Sequence, residues 1–231
     1  IVPPEGYFKK IYDVCKKNEI IFIADEVVTG FGRLGHFFSS EQVFGVVPDI
    51  ITCAKGITSG YLPLGAVLFS DKLIGDLKHD SSLFFHGYTY SGHPACCAAA
   101  LKNIEILKRD KILEHVREIE PYFFDKLNTL YELPIVGDIR GKGLMAGIEC
   151  VINKNSKEAL VLDQAIGSRI DEESIKLGLI IRPLYHICVL SPALIITKNQ
   201  IDDLTEKLYQ AISNTIDQLQ NEGLWSDQKW Y

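Results

Sequence analysis

The sequence lacks several features that would assign it to whole classes of protein. No apolar run approaches the roughly 20 residues that a membrane-spanning helix needs, and the start shows no signal-peptide pattern. Basic residues are not in excess, since 24 Lys and Arg stand against 30 Asp and Glu and the formal net charge is −6. No basic stripe is interleaved with aromatic residues. The composition therefore argues against nucleic acid or an anionic membrane as the main partner.

Cysteine occurs in no pattern that indicates a disulfide framework or a zinc site. There is no CxxC pair, and four of the cysteines lie inside apolar segments. The cysteines are Cys15, Cys53, Cys96, Cys97, Cys150 and Cys188. We therefore predict buried free thiols in a reducing, cytoplasmic compartment. Because His36, His86 and His93 have no second histidine or carboxylate at ligand spacing, we predict structural roles for them and no metal site.

Two short apolar runs organise the chain, and each delivers one ionisable residue at its carboxyl end. Residues 20–24 are followed by Asp25, and residues 50–54 are followed by Lys55. Continuous Ile-rich runs bounded by turn residues are typical of strands buried on both faces of a parallel sheet. In such sheets ligands bind at the carboxyl ends of the strands. We therefore expect Asp25 and Lys55 to face the same crevice.

One chemistry that needs both groups is pyridoxal phosphate catalysis, in which a lysine forms a Schiff base with the cofactor aldehyde and an aspartate pairs with the pyridinium nitrogen. The residues alone leave other interpretations open. Asp25 can cap a turn while Lys55 reaches solvent. An apolar run before Asp25 and Glu26 also fits the Walker B strand of a nucleotide hydrolase, although the sequence has no GxxxxGK[ST] loop. A Schiff-base lyase without cofactor would use Lys55 and leave Asp25 without a role.

Three longer motifs narrow these interpretations. They are DEVVTGFGRLGHF (25–37), PDIITCAKGITSGYLPLGAV (48–67) and FFHGYTYSGHPACCAAAL (84–101). Together they closely resemble the class III (omega-amino) aminotransferases, which are pyridoxal-phosphate-dependent enzymes of fold type I. The resemblance covers nearly the whole chain, and the motifs follow the family's order and approximate spacing. In that family a segment like the one at Ile1 lies about midway along the polypeptide, so we expect this chain to be the C-terminal part of a longer enzyme whose preceding half holds much of the phosphate and stacks on the ring.

The resemblance implies roles for particular residues. Lys55 matches the Schiff-base lysine, which also carries a proton between the substrate and the cofactor, and Asp25 matches the partner of the pyridinium nitrogen. Val27 matches the residue that packs on one face of the ring. Thr89 matches a residue that binds the cofactor phosphate of the other subunit, which implies a homodimer with a shared active site. Arg182 matches the arginine that binds the substrate carboxylate.

The resemblance also implies a class of substrate. The expected reaction moves an amino group from an omega-amino acid or (di)amine donor to a keto acid such as pyruvate. An apolar residue at Val28 favours amine:pyruvate-type members, because relatives acting on ornithine or γ-aminobutyrate commonly have Gln there. Residues 183–186 depart from the Gly-Asp turn of close relatives, which puts the reach of Arg182 in question. An aminomutase or a decarboxylase on the same scaffold remains the main alternative.

The expected fold class is α/β. Residues 1–109 are expected to be the C-terminal part of a large, mainly parallel-sheet domain of fold type I, and residues 110–231 a smaller α+β domain. Helices are predicted over 5–18, from Pro94, over 111–131, 159–177 and 198–220. Strands are predicted at 135–149 as a pair, at 179–181 and at 187–190. We further expect Ser39 and Ser40 to cap a short helix, and the tail from Trp225 to have no core partner.

Overall fold

The computed structural model describes residues 1–77, 85–154 and 163–226. These residues form two compact units, one comprising Pro3–Val116 and the other Arg117–Tyr231 with Ile1–Val2. The elements are α1 (Tyr7–Lys17), β1 (Ile23–Asp25), α2 (Ser39–Gln42), β2 (Ile50–Cys53), β3 (Ala66–Phe69), α3 (Asp71–Leu77), α4 (Pro94–Arg109), α5 (Ile112–Asn128), β4 (Val136–Lys142), β5 (Met145–Cys150), α6 (Asp163–Lys176), β6 (Arg182–Leu184), β7 (Ile187–Leu190) and α7 (Lys198–Asn221). Short 3₁₀ turns lie at Lys55–Thr58 and Thr129–Glu132. The domain boundary near Arg109 stays a prediction.

The unit Pro3–Val116 contains a three-stranded sheet in the order β1-β2-β3. As expected, β1 and β2 are parallel, and the register places Ile23 beside Ile50 and Asp25 beside Thr52. The third strand, β3, is antiparallel to β2, so the described sheet is mixed. Because β1 and β2 run in the same direction, both deliver their carboxyl ends to the same edge of the sheet.

One buried carboxylate holds the starts of both parallel strands. Asp49, which is 7% exposed, accepts a hydrogen bond from the backbone N–H of Phe22 at 2.9 Å and forms an ion pair with Lys16 of α1 at 2.7 Å. Since Asp49 directly precedes β2 and Phe22 directly precedes β1, these contacts fix the two strands relative to each other and to α1. The hydrogen bond from Lys16 lowers the pKa of Asp49 below its ordinary value.

The expectation that the runs at 20–24 and 50–54 form strands buried on both faces is wrong for the described residues. Ile23 in β1 is 58% exposed, and in β2 Cys53 alone is buried. Val67 in β3, which that expectation did not cover, is 53% exposed. Ile21, just before β1, is likewise more than half exposed. Within the described part of the chain no element covers these side chains, and β1 is an edge strand with a single neighbour. An Ile-rich run indicates a side chain suited to burial, not the presence of the surface that buries it.

The unit that begins at Arg117 is an α+β unit with its own core. Its sheet has the order β4-β5-β7-β6 and is antiparallel throughout, with α6 and α7 packed together and α6 against the sheet. The largest fully buried side chains of the described residues all belong to this unit: Phe123, Leu127, Leu130, Ile135, Leu144, Ile148, Ile166, Ile170, Ile201, Leu208, Ile212 and Leu219. The sequence of strands, helix, strands and helix is as predicted.

Three local expectations are wrong. The strand predicted at 179–181 lies instead at Arg182–Leu184, because α6 ends in a left-handed Gly178 (φ 78°) and the N–H of Leu179 still bonds back to Ser174. Neither Ser39 nor Ser40 caps α2, which follows Phe38 without a side-chain cap. Trp225 is 4% exposed, and its indole N–H donates to the carbonyl of Ile152 at 3.2 Å.

Most other predicted elements are confirmed with shifts of a few residues at their ends, including α1, α4, α5 and α7. Cys53, Cys96, Cys150 and Cys188 are buried and all six cysteines are free thiols, as predicted. Phe84, the predicted helix start at Ala159 and the last residues of the tail lie outside the described residues. In the part of the chain that the structure describes, no helix is both long and apolar enough to cross a membrane.

The Lys16–Asp49 pair generates a prediction about stability. Asp49→Asn should lower the free energy of unfolding at pH 7 by about 1.5–3 kcal/mol, because hydrogen bonds to a buried charged group are lost. A lowered folded-state pKa adds stability above the unfolded value of about 3.9, and that stability is lost as pH falls through the folded pKa. The deficit of the variant, measured by urea unfolding, should therefore shrink below about pH 4.

The matched control is Asp13→Asn, which is measured under the same conditions. Asp13 pairs with Lys9 on the surface of α1, and both side chains are mostly exposed. Exposed pairs contribute about 0–1 kcal/mol, so this variant should unfold nearly like the wild type at every pH. If Asp49→Asn lowers the free energy of unfolding by the same amount at pH 3 and pH 7, the ionised Asp49 carboxylate does not stabilise the fold as proposed.

Candidate functional site

Asp25 and Lys55 lie at the carboxyl ends of neighbouring parallel strands. Asp25 is the last residue of β1 and pairs in register with Thr52 of β2. Lys55 follows three residues later and opens the 3₁₀ turn at the end of β2. Because adjacent strands are about 5 Å apart, the sheet brings a carboxylate and an amine to one edge, as the sequence predicted.

Both charged side chains are exposed and uncompensated within the described residues. Neither takes part in an ion pair of that part of the chain. The Asp25 carboxylate accepts one hydrogen bond, from the backbone N–H of Val27 at 2.9 Å, which orients one of its oxygens. Val27 is half-buried, and Val28 beside it is 48% exposed. The edge therefore presents a carboxylate, an amine and apolar surface together.

The backbone at Lys55 is left-handed, with φ +41°. A residue with a side chain pays about 1–2 kcal/mol for that conformation, so the surrounding structure must hold it. The turn after Lys55 approaches the glycine loop closely, since a Cβ on Gly56 would lie 3.0 Å from the Phe31 Cβ and 3.1 Å from the carbonyl oxygen of Gly30. A side chain at position 56 would therefore require Phe31 or the loop to shift by a few tenths of an ångström.

A residue that was not predicted from the sequence contacts the same turn. The Asn103 Nδ2 of α4 donates to the carbonyl oxygens of Gly56 at 2.8 Å and Ile57 at 3.1 Å. The signal was present in the sequence, because Asn103 is a polar residue in the stripe that α4 otherwise builds from Cys96, Ala100 and Leu107, all buried.

Glu26 is a buried structural residue rather than a second exposed carboxylate. It is 2% exposed and accepts hydrogen bonds from the Ser40 N–H at 2.6 Å, from the Ser40 hydroxyl and from the Thr29 hydroxyl. The sequence predicts no catalytic role for Glu26 beside Asp25 except in the Walker B interpretation. These contacts hold the glycine-containing loop that follows β1. Burial raises the pKa of the Cys53 thiol, which keeps this neighbour of the lysine turn protonated.

Thr89 lies in an exposed loop that leads into α4. The local turn in this loop is capped by Ser91, whose hydroxyl oxygen accepts from the Tyr88 N–H at 2.8 Å. The hydroxyl that caps this turn is therefore that of Ser91 and not that of Thr89. The side chains of Tyr88 and Tyr90 are about four-fifths exposed. Whether Thr89 binds phosphate stays a prediction.

Arg182 belongs to the unit that begins at Arg117, whereas Asp25, Val27, Lys55 and Thr89 belong to the other. It is exposed and lies in β6, an edge strand, opposite Val189 of β7. Its role as a carboxylate-binding residue stays a prediction.

The turn after Arg182 is held tightly. Tyr185 is left-handed, with φ +57°, and 72% exposed. Its carbonyl oxygen accepts a hydrogen bond from the Gly167 N–H of α6 at 3.0 Å. A Cβ on Gly167 would lie only 2.1 Å from that oxygen, so the turn rests on helix backbone. His186 and Arg140 both contact the Glu149 carboxylate beneath it.

The group that the sequence analysis expects at this edge is pyridoxal phosphate, and the residues fit it. A primary amine and a carboxylate on adjacent strand ends can reach opposite ends of one pyridine ring. Neither group forms an ion pair with another described residue. Lys55 would hold the aldehyde carbon, Asp25 the ring nitrogen and Val27 a face of the ring. Within the described residues no cluster of histidine, cysteine and acidic side chains could hold a metal ion.

Comparisons with known proteins agree with this geometry. The aminotransferase class-III family model matches residues 1–212. The putrescine–pyruvate aminotransferase of Pseudomonas aeruginosa is 41% identical over 216 residues, which cover 93% of this chain and 47% of that protein. A probable mitochondrial gamma-aminobutyrate transaminase 3 of Oryza sativa subsp. indica is 39% identical over 218 residues, covering 93% of this chain and 42% of that protein. The chain therefore belongs to the class III aminotransferase family.

The fold is that of pyridoxal-phosphate enzymes of fold type I. An amine transaminase from an uncultivated Pseudomonas species, solved with pyridoxal phosphate bound, matches with a TM-score of 0.88 and 38% identity, over 93% of this chain and 49% of that one. The chain spans about half the length of the relatives it matches. These comparisons give no support to an aminomutase, a decarboxylase or a nucleotide hydrolase.

Proposed function

We propose that the protein carrying this chain is a pyridoxal-phosphate-dependent aminotransferase that moves an amino group from an omega-amino acid or (di)amine donor to a keto acid such as pyruvate. The observation that carries the proposal is the parallel pairing of β1 and β2, which brings Asp25 and Lys55 to one edge of the sheet. Family membership supports it, as does the match to the Pseudomonas aeruginosa enzyme.

When bound, pyridoxal phosphate supplies an aldehyde that condenses with amines and a ring that accepts electrons as a proton leaves the substrate. The chain's own residues act around it. The Lys55 amine would hold the aldehyde carbon and, when the donor amine takes its place, would move a proton between the substrate carbon and the aldehyde carbon. The Asp25 carboxylate would hold a proton on the ring nitrogen, and Val27 would exclude water from one ring face.

The remaining roles concern the second subunit and the substrate. We assign Thr89 to the phosphate of the partner's cofactor, in a cytoplasmic homodimer whose sites are shared between subunits. The exposure of its loop and the capping of the local turn by Ser91 leave the Thr89 hydroxyl available for this. Arg182 is assigned to the keto-acid carboxylate, because a planar guanidinium pairs with a carboxylate through two parallel hydrogen bonds.

Lys55→Ala in the full-length protein tests the proposal as a whole. Turnover should fall at least about a thousandfold, because the group that binds the aldehyde and moves the proton is lost. Folding should be retained, since Lys55 is exposed. The control is Lys102→Ala, an exposed lysine of α4 that pairs with Glu105. Steady-state assays of amine and keto acid consumption measure both variants, and near-normal transamination by Lys55→Ala would refute the proposal.

Asp25→Asn keeps the size of the side chain and removes its charge. The half-reaction with the amine donor, followed in a stopped-flow spectrometer, should slow by about tenfold or more, because a charge-assisted hydrogen bond of about 1.5–3 kcal/mol is lost where charge builds up. The affinity for pyridoxal phosphate should fall much less. Equal losses in rate and affinity would mean that Asp25 only anchors the cofactor. Asp13→Asn serves as the surface control.

Arg182→Ala tests the substrate assignment. It should raise KM for pyruvate by about tenfold or more and leave KM for putrescine nearly unchanged, since only the acceptor carries a carboxylate. Arg182→Lys should restore little, because a point charge cannot form the paired bonds. The control is Arg109→Ala, an exposed arginine at the end of α4. If the amine suffers and pyruvate does not, Arg182 is not the carboxylate-binding residue.

A further inference from the structure

The lysine turn requires external support. Lys55 is left-handed at φ +41° and Ser59 is left-handed at φ +53°, so two residues with side chains occupy unfavourable backbone conformations within five positions. The turn's own backbone hydrogen bonds run from the Ile57 N–H to the Ala54 carbonyl at 3.0 Å, from the Ser59 N–H to the Gly56 carbonyl at 3.2 Å and from the Gly60 N–H to the Lys55 carbonyl at 3.3 Å. None of these bonds reaches another element of the fold. A turn of this kind keeps its shape only where its surroundings fix it.

Two other elements contact it. Gly56 lies against the glycine loop, where an added Cβ would be 3.0 Å from the Phe31 Cβ and 3.1 Å from the Gly30 carbonyl oxygen. Asn103 of α4 donates to the carbonyl oxygens of Gly56 and Ile57, the two residues directly after Lys55. The packing of Gly56 on the glycine loop is a steric contact, which can only exclude conformations of the turn. The hydrogen bonds from Asn103 are directional, so they favour one particular conformation of the turn.

Asparagine suits this position for a specific reason. Its amide nitrogen carries two hydrogens, one for each of the two carbonyl oxygens. An aspartate of the same shape would present only acceptors to acceptors, and the apolar residues that occupy the rest of the α4 stripe would leave both carbonyls without this partner. The half-buried setting makes the loss of a partner costly.

We propose that Asn103 is a positioning residue for Lys55: by binding the carbonyl oxygens of Gly56 and Ile57 it locks the left-handed backbone that directs the lysine amine toward the aldehyde. This inference rests on the proposed role of Lys55 as the residue that binds the cofactor. Asn103 touches neither substrate nor cofactor in this assignment. Its effect reaches the chemistry through the turn alone.

The consequence is a change in how fast the Lys55 amine reacts. Without Asn103 the turn samples conformations in which Lys55 returns to the ordinary right-handed or extended region, and in those the amine points elsewhere. Releasing one left-handed residue corresponds to roughly a tenfold change in the population of the aligned conformation. The reaction of the amine with an aldehyde should slow by about that factor.

The test measures labelling of Lys55 in the full-length protein freed of cofactor. The protein is mixed with pyridoxal phosphate, or with pyridoxal that lacks the phosphate, and samples are reduced with borohydride at timed intervals. Peptide mass spectrometry then gives the rate of modification at Lys55. The variants are Asn103→Ala, Asn103→Asp and Asn103→Gln, with Lys102→Ala as the control from the adjacent, exposed position of α4.

We expect Lys55 to be labelled about tenfold more slowly in Asn103→Ala and Asn103→Asp, with both aldehydes. Asn103→Gln should recover part of the rate, because its side chain also carries two donors. Lys102→Ala should be labelled at the wild-type rate. Wild-type rates in all variants, together with a lowered melting temperature, would make Asn103 a purely structural residue and overturn the proposal. A loss seen only with pyridoxal phosphate would also overturn it, because the effect would then act through phosphate binding.

Two further arms keep the result interpretable. If Asn103→Ala does not fold, Asn103→Ser retains one donor and should label at an intermediate rate, so that a wild-type rate for Asn103→Ser overturns the proposal. If wild-type Lys55 is not labelled in preference to other lysines, the proposed function itself fails. That result is distinct, because it appears in the wild type before any variant is compared.

Discussion

The parallel pairing of β1 with β2 is the constraint on which the candidate site depends. Two neighbouring strands that run in the same direction end at the same edge of the sheet. The residues at their two carboxyl ends therefore lie near each other even where their side chains make no contact. The starts of the strands are held by Asp49, through Phe22 and Lys16. The ends are therefore free to carry exposed charges, because the register is already determined at the opposite edge.

The two units differ in how completely they bury their apolar residues. The unit from Arg117 contains all the largest fully buried side chains of the described residues, whereas the sheet of the other unit leaves Ile23 and Val67 more than half exposed. Apolar patches of this kind mark surfaces that another segment or chain covers. The chain spans about half the length of the relatives it matches.

The sequence predicted the common edge of Asp25 and Lys55 better than it predicted the burial of their strands. Asp25 and Lys55 follow apolar runs that only strands explain well, so their common edge was predictable. The sequence predicted that Arg182 follows a strand, whereas it lies in β6. The C-terminal hydrogen bonds of α6 extend through Leu179, and the strand therefore begins three residues later than predicted. The exposure of β1 was not predictable, since a pattern of residue types describes what a strand can bury and not what lies against it.

The residues that hold the site were harder to find than those that would act in it. Asp49, Glu26 and Asn103 each carry an ordinary polar side chain, and no sequence pattern predicted the contacts that they make. What they share is a bond to backbone: Asp49 to the Phe22 N–H, Glu26 to the Ser40 N–H and Asn103 to two carbonyl oxygens. Each bond crosses from one element to another and is invisible in a local pattern. A polar residue inside an apolar helical stripe, as at Asn103, is the sequence signal that such a bond exists, because a buried polar side chain without a partner would destabilise the fold.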